Sequence, residues 1–153
     1  MEIEDLITPA RVMPRLKATS KKHVLQELAK RAAELTGLHE RAIFDVLLER
    51  ERLGTTGVGN GIAIPHGKLP EIKELFGLFA RLEDPVDFDA IDEQPVDLVF
   101  LLLAPEGAGA DHLKALARIA RLLRDQDIAK KLRASRDAQA IYSVLALPPA
   151  TAA

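Results

Sequence analysis

Cysteine is absent from this chain of 153 residues, so no disulfide framework, thiol nucleophile or thiolate metal site is open to it. That absence fits a reducing compartment. An excess of either charge is almost lacking as well: 21 Lys and Arg stand against 23 Asp and Glu, for a formal net charge of -2. Such a balance leaves no footprint for nucleic acid or an anionic membrane. No apolar run approaches the roughly 20 residues that span a bilayer. The start, Met1-Glu2-Ile3-Glu4-Asp5, is acidic where an export signal needs an apolar core. Together these gaps point to a cytoplasmic protein without a direct membrane anchor. Histidine is sparse too, and the four present do not fall at metal-ligand spacing.

What remains is ordinary for a globular domain: 48% of residues are hydrophobic and 29% charged. The length suits one domain that buries its own core without staples. We place that domain at residues 1–147, followed by a flexible tail, 148–153, opened by Pro148 and Pro149. A short N-terminal arm ends near Met13-Pro14. Ser20 then reads as a helix cap, Val24, Leu25, Leu28, Ala32 and Leu35 recur at helical spacing, and Gly37 is a stop. A second helix is expected from Glu40 to Arg52, with Ile43, Phe44, Leu47 and Leu48 inward and Gly54 as terminator. Next come a loop from Thr55 to Asn60, a short strand at Ile62–Ile64, a strand at Leu75–Leu82 and an edge piece at Val86–Phe88. The run Val96 to Leu103 is almost continuously apolar after its start, as a central strand covered on both faces requires. Asp111 is expected to cap a third long helix carrying Leu113, Leu116, Ala117, Ala120 and Leu123. Helical patterns near Gln126–Arg133 and Asp137–Leu145 complete a layered α/β sandwich.

The segment from Gly57 to Lys68 concentrates the chemistry. Its glycines invite a nucleotide reading that the spacing rejects. A P-loop needs glycine where Ile62 stands and a hydroxyl where Leu69 stands, and a dinucleotide fingerprint from Gly57 again meets Ile62. His66 is the group that remains. Pro65 fixes the backbone before it, and Gly67 leaves room for another molecule to approach. With no serine or cysteine nucleophile beside it, the imidazole itself is the candidate for covalent group transfer.

The stretch Gly57-Val58-Gly59-Asn60-Gly61-Ile62-Ala63-Ile64-Pro65-His66-Gly67-Lys68 resembles the active-site signature of fructose/mannitol-type enzyme IIA domains of the bacterial phosphotransferase system. The resemblance runs on through Phe88 to Val99 and Asp111-His112-Leu113, and is strongest to the stand-alone nitrogen-type form. It implies a mixed β-sheet flanked by helices on both faces. It also implies a phosphotransferase whose histidine, here His66, accepts a phosphoryl group from a small HPr-like phosphocarrier of the nitrogen type. Phosphoenolpyruvate is then the ultimate donor, and no cofactor or metal takes part. By the same resemblance Arg50 corresponds to the arginine beside that histidine, and His112 to the second active-site histidine. A guanidinium offers phosphoryl oxygens a planar fork of donors, and the first turn of a helix favours a nearby anion. Read without the resemblance, Arg50 sits in the charged run Glu49-Arg50-Glu51-Arg52, where Arg52 is equally eligible and a solvated face is the common outcome. Lys68 is a candidate for partner docking, and His23 and His39 read as surface residues. The implied output is phosphorylation-dependent binding of regulatory target proteins, through an exposed apolar patch around His66. The alternative is a free-standing fructose/mannitol-type enzyme IIA that passes phosphate to an enzyme IIB.

Overall fold

The computed structural model describes residues 2–146. One mixed sheet forms its middle layer. Strands β1 (Val12–Leu16), β2 (Gly57–Gly59), β3 (Ile62–Ala63), β4 (His66–Leu69), β5 (Phe76–Val86) and β6 (Val96–Pro105) lie in the order β1-β5-β6-β3-β2, with β4 also on β6. β5 and β6 are antiparallel, while β3 and β4 run parallel to β6 along one side of it, end to end. Neighbouring residues of β6 point to opposite faces, and both faces are covered. Val99, Leu101 and Leu103 meet the helices α1 (Lys21–Thr36) and α2 (Glu40–Arg52). Leu98, Phe100 and Leu102 meet α3 (Ala110–Arg124), α4 (Gln126–Ala134) and α5 (Ala138–Ala146). The α/β sandwich with helices on both faces is therefore as expected, and the apolar run of β6 is its centre.

Local chemistry sets the helix ends. The Ser20 side chain accepts the His23 N–H at 3.1 Å, and Gly37 closes α1 at φ 79 by donating to the Ala33 carbonyl at 2.9 Å. α3 departs from expectation in two ways. Its cap is Gly109, whose φ of 52 and ψ of -116 suit glycine, so Asp111 falls inside the first turn. Its buried stripe is His112, Ala115, Ile119 and Leu123, which leaves Leu113 and Ala117 exposed.

Three further expectations are corrected. The N-terminal arm is ordered: Leu6 and Ile7 are buried, and Val12–Leu16 forms an edge strand parallel to β5. Pro14 is tolerated there because an edge strand need not donate from every residue. The separate edge piece at Val86 is instead the end of β5, which reaches Val86 across a register shift after Arg81. The loop Thr55–Asn60 contains β2, which forms a hairpin with β3. Its turn residues Asn60 and Gly61 both have positive φ, 58 and 78, as a tight two-residue hairpin requires. The tail 148–153 lies outside the described residues.

Candidate active site

The site begins where β6 changes partner. β3 pairs with Leu98 and Val99, and β4 resumes at His66 opposite Leu102. Pro65 lies in the gap. It has no N–H to donate, and its carbonyl accepts the Leu102 N–H at 3.0 Å, so the backbone stays pinned to the sheet. His66 consequently starts a strand. Gly67 serves the fold and not an incoming molecule: a Cβ there would stand 2.2 Å from Val46 Cγ1, so its absence lets α2 press onto β4. That close approach brings Arg50, one turn further along α2, over the imidazole.

The ring is held from both sides. Nδ1 lies 2.8 Å from the Ile64 carbonyl oxygen, and Arg50 Nε donates to Nε2 at 3.2 Å. A carbonyl can only accept, and a guanidinium can only donate. The two contacts therefore fit one neutral tautomer, with the proton on Nδ1 and the lone pair on Nε2. Arg50 is itself anchored, since Nη1 donates to the Gly54 carbonyl at 2.8 Å. The His112 ring stands edge-on to His66 with centroids 5.5 Å apart. It is 8% exposed, and among the described residues its Nε2 has no hydrogen-bond partner. A groove beside His66 is lined by Val46, Glu49, Arg50, Leu53, Gly67 and Lys68, among others. Leu53 at its edge is 79% exposed, and Leu113, next to His112, is 69% exposed.

Burial is the main cause holding the His66 pKa below the ordinary 6.5. The Ile64 hydrogen bond raises it, the Arg50 charge lowers it, and the Glu51 charge raises it. His112 is also lowered, first by burial and then by the charges of His66 and Lys68. Both rings are thus kept neutral at pH 7. The sign for stability follows from the depressed values: these rings stabilise the fold fully above the unfolded pKa of about 6.5, and that contribution is lost as pH falls through the folded values. Ring titrations by NMR are expected to give midpoints below 6.5 for both histidines. Arg50→Gln should raise the His66 midpoint and Glu51→Gln should lower it. A His66 midpoint at or above 6.5 would contradict the dominance of burial.

The structure thus brings Arg50, His66 and His112 together, with Lys68 exposed on the groove. Arg52 points away and pairs with Glu49 at 3.2 Å on the surface. His23 accepts the Thr19 N–H at 3.2 Å, His39 is exposed, and neither joins the cluster. Glu51 and its partner Thr56 escaped sequence reasoning. Glu51 is buried beneath the site, where it accepts from the Thr56 N–H at 3.0 Å and from the Thr56 hydroxyl, and lies 2.8 Å from Lys21 Nζ. Helical spacing was the available signal for Glu51, because it continues the buried stripe Ile43, Leu47. Among the described residues no group of three His, Asp or Glu could hold a metal ion, and no helix is long and apolar enough to cross a membrane.

Comparison with known proteins gives the family. The family described as phosphoenolpyruvate-dependent sugar phosphotransferase system, EIIA 2, matches residues 5–147. The chain belongs to this family. This EIIA chain is 76% identical over 153 residues to a nitrogen regulatory protein of Bradyrhizobium diazoefficiens, covering 100% of both chains. It is 42% identical over 146 residues to a nitrogen regulatory protein of Pseudomonas aeruginosa, covering 95% of each. The crystal structure of nitrogen regulatory protein IIA-Ntr from Neisseria meningitidis superposes with a TM-score of 0.89 at 34% identity, over 94% of this EIIA chain and 98% of that one.

Proposed function

We propose that this EIIA protein is a cytoplasmic phosphohistidine carrier of the nitrogen-regulatory type. It accepts a phosphoryl group on His66 Nε2 from a nitrogen-type, HPr-like phosphocarrier, and its phosphorylation state decides which target proteins it binds. The observation that carries the reading is the neutral imidazole with Nδ1 bonded to Ile64 and Nε2 turned to the Arg50 guanidinium. The full-length likeness to proteins named nitrogen regulatory protein supports the regulatory branch over sugar uptake.

The transfer needs a positioned lone pair and donors for the oxygens of the moving group. As Arg50 releases Nε2, the lone pair attacks the phosphorus held on the donor's histidine. The new N–P bond forms while the donor's N–P bond breaks, and the bonding pair returns to the donor's ring. The Nδ1 proton stays on His66, whose ring becomes positive, and the Ile64 carbonyl stabilises that charge. Arg50 turns its N–H groups to the phosphoryl oxygens, with the buried His112 beside them. The phosphoryl oxygens then bring about -1.5 to -2 charges to the groove, offset in part by the positive ring. A target docking over Leu53 and Leu113 can distinguish the two forms by that charge and by the bulk of the group.

The test is incubation of the purified protein with phosphoenolpyruvate, enzyme I and the nitrogen-type carrier, read by intact mass and by acid lability. One acid-labile phosphoryl adduct is expected. An adduct formed from sugar-type HPr alone would move the protein to the sugar branch. No adduct from either carrier, with enzyme I active and the protein folded, would overturn the reading.

A further inference from the structure

Glu51 is 8% exposed, and a buried carboxylate is costly unless donors replace its water. Its donors are the Thr56 N–H, the Thr56 hydroxyl and the Lys21 ammonium. None of the three residues exchanges a hydrogen bond with the His66 ring, and the transfer step above leaves all of them unused. Their contacts nonetheless lead to the ring. The Thr56 carbonyl accepts the Ile64 N–H at 3.0 Å, and the Ile64 carbonyl lies 2.8 Å from His66 Nδ1. Ile64 precedes a proline, which confines its backbone to extended conformations. With its N–H tied to Thr56 and its ψ limited by Pro65, the direction of its carbonyl is fixed. The segment that Glu51 anchors holds Arg50 as well, because Gly54, two residues before Thr56, accepts from Arg50 Nη1 at 2.8 Å.

We propose that Glu51, acting through Thr56, is the positioning residue that keeps the Ile64 carbonyl on His66 Nδ1 and so reserves the Nε2 lone pair for phosphoryl transfer. This deepens the reading of His66 as acceptor and rests on it. Nothing in a free imidazole chooses Nδ1–H over Nε2–H strongly. In the protein the choice is made by whichever acceptor is held in place. A Thr56 segment freed from Glu51 lets the Ile64 peptide rotate, the ring loses its fixed acceptor, and the lone pair is shared between both nitrogens. Lys21 balances the buried charge and does not contact the ring, so it supports the carboxylate alone.

The experiment uses the whole protein labelled with ¹⁵N in its histidines, at pH 8, where the ring is neutral. Long-range ¹H–¹⁵N spectra report which nitrogen of His66 carries the proton, and phosphoryl acceptance from the phosphorylated carrier is timed alongside. Thr56→Val removes the hydroxyl with little change of shape, Glu51→Gln removes the charge, and Thr56→Ser restores the hydroxyl. The wild type is expected to show the proton on Nδ1. Thr56→Val and Glu51→Gln should move population to the Nε2–H form and slow acceptance by about tenfold, within the cost of small misplacements in transfer reactions. Thr56→Ser should match the wild type in both readouts. Folded Thr56→Val with a wild-type tautomer overturns the proposal, whatever its rate. If Glu51→Gln fails to fold, Thr56→Val decides, since it leaves Glu51 with Lys21 and the Thr56 N–H. A wild type that accepts no phosphoryl group refutes the acceptor reading instead, and the tautomer spectra still decide the positioning claim.

Discussion

Replacing His66 by alanine is expected to abolish phosphoryl acceptance, whereas His112→Ala should slow it by about 10–100-fold, the scale on which misplaced groups affect transfer. Two rings with centroids 5.5 Å apart could in principle compete for the group. Access separates them. His112 is 8% exposed, and among the described residues its Nε2 is enclosed without a partner, which leaves an incoming donor protein little of the ring to meet. His66 is half-buried and lines the groove, with its lone pair toward Arg50. The fold should survive the first change. The side chain of His66 gives up one backbone hydrogen bond, worth about 1 kcal/mol. His112→Ala removes an unsatisfied buried nitrogen, which offsets part of the cavity it leaves. Intact mass after incubation with the phosphorylated carrier, beside a denaturant titration of each variant, separates the roles. An acid-labile adduct of undiminished yield on His66→Ala would falsify the assignment and turn attention to His112.

How far such roles can be read from sequence depends on which face of an element is in question. The span of α2 was legible to the residue, because Ile43 and Leu47 recur at helical spacing and Gly54 lies just beyond its end. The roles within Glu49-Arg50-Glu51-Arg52 were not, because a charged run at a helix end reads as solvated throughout. The four consecutive residues in fact point three ways. Glu49 and Arg52 meet on the surface, Arg50 faces His66, and Glu51 turns under the sheet to Thr56. A similar loss of phase affects α3, whose apolar positions Leu113 and Ala117 do not lie on its buried stripe. The buried stripe instead runs through His112 and the small Ala115, leaving Leu113 in solvent. The hairpin at Asn60-Gly61 carried a sequence signal that the neighbouring glycines obscured. Gly67 shows a different limit. Its need is a contact with Val46, 21 positions away in the chain, and no local pattern announces it.

Arg50→Lys is expected to lower the rate of phosphoryl acceptance by about 10²–10³-fold, the cost of removing one donor from a developing charge. Net charge is unchanged, so the loss isolates geometry. The guanidinium donates at once to His66 Nε2 at 3.2 Å and to the Gly54 carbonyl at 2.8 Å, two directions set by a rigid plane. When the lone pair is released, that plane is expected to offer paired N–H groups to the phosphoryl oxygens. An ammonium reaching from the same helix turn can satisfy either the carbonyl or the oxygens. It is also more strongly hydrated, so it gains less from leaving water. Stability should change by less than about 1 kcal/mol, because the site is open to solvent on the groove side and exposed contacts of this kind contribute little. Arg52→Lys provides the internal comparison: Arg52 lies in the same run, pairs with Glu49 on the surface, and its replacement should leave the rate unchanged. Timed transfer from the phosphorylated carrier distinguishes the outcomes. A near-wild-type rate for Arg50→Lys would mean that the positive charge acts without the fork, and that the paired donors of Arg50 contribute nothing to the transition state.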